Sequence, residues 1–186
     1  MTPFSTVIAE HLKLINDLSV CHQDIQNSSE LILSTFKAGK KILICGNGGS
    51  AADSQHIATE FVVRYEKQRK GLPAIALTTD TSILTAQPND YSFASVFSRQ
   101  IETLGQEGDC LIALSTSGNS DNIIEAVKSA TSKNMNCIAL TGNDGGKLAD
   151  LVDHPIIIPS QITARIQEAH ILIAHWWCQQ ADETFS

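Results

Sequence analysis

Five short runs of the chain are apolar without polar alternation: residues 41–45, 74–78, 110–115, 137–141 and 155–158. Each is rich in Ile, Leu, Val, Ala or Cys. Continuous apolar runs of this length suit strands buried on both faces of a sheet. Stretches with helical spacing separate them, and strands alternating with helices predict a parallel sheet in an α/β domain. Two helices precede the first strand. In one, Val7, Ile8, Leu12, Ile15 and Leu18 recur at three- and four-residue steps. The other is expected from about residue 28 to Lys37, with Gly39 as its C-terminal stop. A last helix carries Ile166, Ile171, Leu172, Ile173, Trp176 and Trp177. Its apolar arc is wider than one core face needs, which predicts contact with a second subunit. No repeat, low-complexity tract or linker interrupts the pattern. A single domain over 1–186 is expected, with a helical part at 1–38 and the sheet with its flanking helices at 39–186.

Composition narrows the classes. The 186 residues suffice for one sizeable core. No apolar run reaches the ~20 residues of a membrane helix, and Glu10, Lys13 and Asp17 break up the N-terminal apolar positions, unlike a signal peptide. A cytoplasmic protein is expected, with no membrane partner. The net charge of -7 argues against a nucleic-acid surface. An anionic ligand would have to be held by local N–H groups, hydroxyls and a few arginines. Five cysteines, an odd number with no C-x-x-C pair, read as reduced core residues.

Two of the runs lead into glycine- and serine-rich turns that open helices. One is Cys45-Gly46-Asn47-Gly48-Gly49-Ser50; the other is Ser115-Thr116-Ser117-Gly118-Asn119-Ser120. Both lie at the carboxyl ends of strands, where open α/β sheets bind ligands, and both offer helix N-termini to an anion. Hydroxyls suit a phosphate that must bind and leave. Either loop alone is also an ordinary strand-to-helix turn; two at equivalent places favour phosphate. Gly46, Gly48 and Ala51 also satisfy G-x-G-x-x-A, but the acidic residue that a dinucleotide site wants ~20 positions on is missing. The nearest, Asp80, lies 34 positions past Gly46.

His56 and Glu60 stand four apart in the helix after the first loop, on one face. Gln167 and His175 share a side of the last helix, about 80° apart after two turns. Alone, the first pair reads as a surface contact and His175 as a packed core histidine. Together the four offer two imidazoles, a carboxylate and an amide oxygen, a donor set that suits zinc or a similar divalent ion.

On these residues the chain resembles the phosphoheptose isomerase family of the sugar isomerase (SIS) domain group. The matching stretches are residues 45–56, Glu60 with Arg64-Tyr65, Asn89-Asp90, 115–120, 140–146, and Arg165-Ile-Gln-Glu-Ala-His170 with His175. The resemblance spans nearly the whole chain. It implies a flavodoxin-like three-layer α/β sandwich with a five-stranded parallel sheet and extra N-terminal helices. It implies a homotetramer with active sites between subunits. The implied reaction converts sedoheptulose 7-phosphate to D-glycero-D-manno-heptose 7-phosphate, the first step of ADP-heptose synthesis for lipopolysaccharide. Zinc would be held by His56, Glu60, Gln167 and His175. Ser115, Thr116, Ser117 and Ser120 would bind phosphate, and Asn47, Gly48, Gly49, Ser50, Asn89, Asp90, Glu60 and Gln167 would line the substrate site. Glu60 would be the base and His175 the acid. Some relatives have Asp where this chain has Ala164, so no role of that aspartate transfers. The group also includes a non-catalytic relative that binds the bacterial replication initiator. It lacks equivalents of Glu60 and His175, and the presence of both here favours the enzyme.

Overall fold

The computed structural model describes all residues 1–186. Strands β1 (Ile42–Cys45), β2 (Ala74–Ala76), β3 (Cys110–Leu114), β4 (Asn136–Thr141) and β5 (His154–Ile157) form one sheet in the order β2-β1-β3-β4-β5. Every pairing is parallel; Ile42 stands opposite Ala74 on one side and Cys110 on the other. All five apolar runs are strands, shifted by a residue or two at their ends. This order is the flavodoxin-like one, and it reverses between β1 and β3. The two glycine-rich loops follow those two strands.

Helices α1 (Phe4–Asp17), α2 (His22–Lys37), α3 (Gly49–Val62), α4 (Thr81–Asp90), α5 (Ser98–Leu104), α6 (Asp121–Ser132), α7 (Gly146–Ala149) and α8 (Thr163–Phe185) complete the chain, with single 3-10 turns at Leu18–Cys21 and Phe93–Ser95. Alternate strand residues point to opposite faces, and the core divides accordingly. Ile42, Ile44, Ile112 and Leu140 face α1, α2, α3 and α8, with Ile32, Phe61 and Trp177 packed on them. Leu43, Leu111, Ala113 and Ala139 face α5, α6 and α7, through Ile101, Ile123, Val127 and Leu148. The result is the expected three-layer sandwich.

The stop after α2 is as expected. Gly39 has φ 70°, Lys40 N–H donates to Thr35 O and Gly39 N–H donates to Phe36 O, a Schellman closure. Its start is not. α2 begins at His22, about six residues earlier than the sequence suggests, because the 3-10 turn at Leu18–Cys21 runs straight into it. Gln23, Asp24 and Gln26 are exposed there, so the first turn lacks an apolar signature. The width of the α8 arc is largely absorbed within the chain. Ile166, Ile173 and Trp177 are buried, and only Leu172 is exposed. All five cysteines are buried and free. Burial pushes the thiols of Cys45 and Cys110 far up, and that of Cys137 to about 11.

Candidate active site

The first loop is a tight turn that only glycine fits at two points. A Cβ on Gly46 would lie 2.6 Å from Ser50 O. Gly48, with φ 56° and ψ -118°, occupies the cap position of α3 and offers no side chain to its N–H groups. Ser50 is buried. In the second loop Ser115 and Ser120 hydroxyls are 3.1 Å apart. Ser115 is buried, Thr116 and Ser120 are half-buried and Ser117 is exposed. Ser120 caps α6 without a side-chain bond. Both helix N-termini therefore present backbone N–H groups that no side chain of the chain satisfies, the condition for anion binding.

The two loops are tied together. Asn47 Nδ2 donates to Asn122 Oδ1 (2.9 Å) and Asn122 Nδ2 donates to Asn47 Oδ1 (2.8 Å). A third loop backs the second: Asn143 Nδ2 donates to Thr116 O (3.0 Å) and Leu148 N–H donates to Gly118 O (2.9 Å). Asn122 escaped the sequence reading because an Asn in the first turn of a helix looks like a capping residue.

Helices α3 and α8 meet. His56 Nε2 lies 3.2 Å from Glu60 Oε1 and 3.4 Å from His175 Nε2. The two imidazoles are edge to face, with centroids 5.0 Å apart, and Tyr65 stacks on His175 at 5.5 Å and 26°. His56 is exposed and Glu60 and His175 are half-buried. Two ring nitrogens and a carboxylate oxygen converge here, and each close approach needs either a proton on one partner or a cation shared between them. Donors bound tetrahedrally at about 2.0–2.1 Å stand about 3.3–3.4 Å apart, close to both observed spacings. As the side chains stand, no three His, Cys, Asp or Glu residues close into a metal-binding cluster. Gln167 is apart from the trio. Its amide lies against Gly49, where a Cβ would come within 2.5 Å of Nε2. Eight helical positions also separate it from His175 by about 12 Å along the axis. Gln167 thus joins the first loop to α8.

Asp53, one turn before His56, was not singled out in the sequence. Its buried Oδ2 has no partner, and burial pushes its carboxyl up despite the opposing effect of His56. Asn89 and Asp90 lie at the exposed end of α4, where Asn89 Nδ2 donates to Asp90 Oδ1 (2.7 Å). Nothing in the chain bonds them to the loops or the trio. Ala164 is exposed in the first turn of α8. Two surface grooves lie elsewhere. One of about 540 Å³ runs between α4 and α5, by Tyr91 and Arg99. An apolar one of about 300 Å³ is lined by Leu18, His22, Ile25, Leu172 and Trp176. The convergence of His56, Glu60 and His175 outweighs groove size as a marker of chemistry, because it brings together groups that can exchange protons.

The SIS domain model matches residues 8–142. A phosphoheptose isomerase of Campylobacter jejuni subsp. jejuni serotype O:6 is 54% identical over 176 residues, 95% of each chain. The chain belongs to the phosphoheptose isomerase family of SIS-domain proteins. A phosphoheptose isomerase of Clostridium acetobutylicum is 52% identical over 166 residues, 89% of this chain and 84% of that one. Among solved structures, the phosphoheptose isomerase of Neisseria gonorrhoeae superposes with a TM-score of 0.92 at 46% identity, over 97% of both chains. The Vibrio vulnificus NanR protein complexed with ManNAc-6P shares the fold alone, with a TM-score of 0.66 at 15% identity. The chain is thus a sugar-phosphate isomerase of this family.

Proposed function

We propose that the chain converts sedoheptulose 7-phosphate to D-glycero-D-manno-heptose 7-phosphate, in the cytoplasm, as the first step toward ADP-heptose for lipopolysaccharide. The observation that carries this reading is the meeting of His56, Glu60 and His175 beside two uncapped helix N-termini. The phosphate is assigned to Ser115, Thr116, Ser117 and Ser120 at the start of α6. Asn47, Gly48, Gly49 and Ser50 face the sugar from the start of α3.

Ketose–aldose exchange moves one proton between adjacent carbons through an enediol. Glu60 is assigned the removal of the proton from C1 and its return at C2. His175 supplies the proton to the carbonyl oxygen and recovers one from the neighbouring hydroxyl, a role open to it only through a ring nitrogen that holds no metal. His56, Glu60 and His175 are the residues to hold zinc, and Gln167 would become a fourth donor by turning its amide away from Gly49 toward them. A divalent ion at that place would polarise the carbonyl and so ease proton loss from C1. The donor spacings support a tetrahedral ion.

A homotetramer with sites between subunits is part of this proposal. Asn89 and Asp90 are exposed and bonded only to each other, so a role in the site calls for a neighbouring subunit. The open trio and the apolar groove by Leu172 and Trp176 support the same reading. The non-catalytic, initiator-binding alternative has little support, because Glu60 and His175 are both present and both converge on His56. The test is turnover of sedoheptulose 7-phosphate after chelation and after zinc is restored. The rate should fall and then recover with about one ion per subunit. An unchanged rate in verifiably metal-free protein would remove the metal from the proposal.

A further inference from the structure

The segment 63–70, which leaves α3 and turns toward β2, is fastened to both site helices. Arg69 Nη2 donates to Glu60 O (2.7 Å) and Nη1 donates to Phe61 O (2.8 Å), satisfying carbonyls in the last turn of α3. Arg69 Nε donates to Asp182 Oδ1 on α8 (2.7 Å). The other carboxylate oxygen of Asp182 accepts from the backbone N–H of Glu66 (2.6 Å) and of Lys67 (2.7 Å). The pair is fully enclosed: the Arg69 side chain is 0% exposed and that of Asp182 2%. Burial alone would push the Asp182 carboxyl up. The N–H groups of Lys67 and Glu66 and the Arg69 guanidinium together hold it below its usual range.

A buried ion pair is seldom the most stabilising use of a core position, since apolar residues of equal volume often do as well. Here the pair does something an apolar pair would not: it fixes the path of the backbone. Tyr65 immediately precedes the two residues whose N–H groups Asp182 holds, and its ring stacks on the His175 imidazole. His56 meets the same imidazole edge-on. The rotation of His175 about its side-chain bonds is thus limited by an aromatic ring on a strap, and the strap is pinned at Asp182, seven residues further along the same helix.

We propose that Asp182 and Arg69 act as a clamp that holds Tyr65 against His175 and so sets the orientation of its imidazole. All three are positioning residues for the isomerisation. The inference rests on the assignment of His175 to the active site. Arg69 and Asp182 lie outside every stretch that carries the family resemblance.

The test combines kinetics with the NMR signal of the 13C-labelled His175 ring in metal-free protein, where a stacked phenol shifts the ring proton. Tyr65→Ala should lower kcat by about ten- to a hundredfold, the scale of a misplaced catalytic group, with KM changed by less than about twofold. Tyr65→Phe should restore kcat, because it keeps the ring. Asp182→Asn should lower kcat by a similar factor, and the double variant should be no worse than the poorer single, since both act on one contact. The His175 signal should move the same way in Tyr65→Ala and Asp182→Asn. Multiplicative losses in the double variant would overturn the clamp, as would an unmoved His175 signal in Asp182→Asn. If Asp182→Asn does not fold, Arg69→Lys takes its place. A Tyr65→Ala protein with normal kcat and an unmoved His175 signal would overturn the proposal by itself. Absence of isomerase activity in the unaltered protein would count against the function instead, and the NMR comparison would still decide the clamp.

Discussion

Gly118 and Gly49 show how differently two glycines of one site are constrained. Gly118 has φ 65°, and a Cβ there would stand 1.9 Å from Gly145 O, a backbone atom that cannot swing away. Gly118→Ala should cost more than about 1 kcal/mol and loosen the phosphate loop, seen as a lower Tm together with a raised KM. At Gly49 the obstacle is the end of the Gln167 side chain, which can move. Gly49→Ala should fold with nearly normal Tm but displace Gln167, and zinc affinity should fall while the fold persists. His170 gives a pH signature. Its Nε2–H donates to Thr141 O (3.1 Å) and its buried Nδ1 has no partner. Burial lowers its pKa from 6.5 to about 4 despite the Thr141 bond. The native state therefore keeps it neutral while the unfolded chain takes up a proton. Stability is full above about pH 6.5 and falls as pH drops toward 4, by at most about 3 kcal/mol from this group. Urea melts of the protein and of His170→Gln should show that slope flattened in the variant.

At the scale of elements, the strands were legible because their runs are apolar: β1 and β3 are buried on both faces, and the polar residues of the sheet, Asn136, Thr141 and His154, stand at strand ends. The loops were legible because glycine and serine mark them. The meeting of α3 and α8 was not, because sequence spacing says which face a side chain occupies and nothing about which helix lies opposite. His56 and Glu60 were therefore readable as a pair, but their approach to His175 needed the fold. The start of α2 was missed for a related reason: a 3-10 turn has a different period, and the first α-helical turn exposes polar residues. Tyr65 was visible within a family stretch, whereas its stacking on His175 depends on Asp182, 117 positions away in sequence.

In the whole molecule, the switch in strand order between β1 and β3 brings the two loops side by side, and the reciprocal Asn47–Asn122 amide pair locks them. Helix α8 then crosses over to supply Gln167 and His175. No helix is long and apolar enough to cross a membrane. Asn89 and Asp90 remain outside this assembly in a single chain. If a neighbouring subunit uses them, mixed oligomers should show it. Asp90→Ala and Glu60→Gln proteins, each of low activity, should recover measurable turnover when co-refolded, and recovery should be absent if each chain holds a complete site. The central claim is carried by the trio and meets its most direct test in one assay: aldose formation from sedoheptulose 7-phosphate by the zinc-loaded protein and by Glu60→Gln. The account predicts turnover in the first and a loss of about 10²–10⁴-fold in the second, compared at equal zinc content. No aldose product from the unaltered protein, or undiminished turnover in Glu60→Gln, would contradict it.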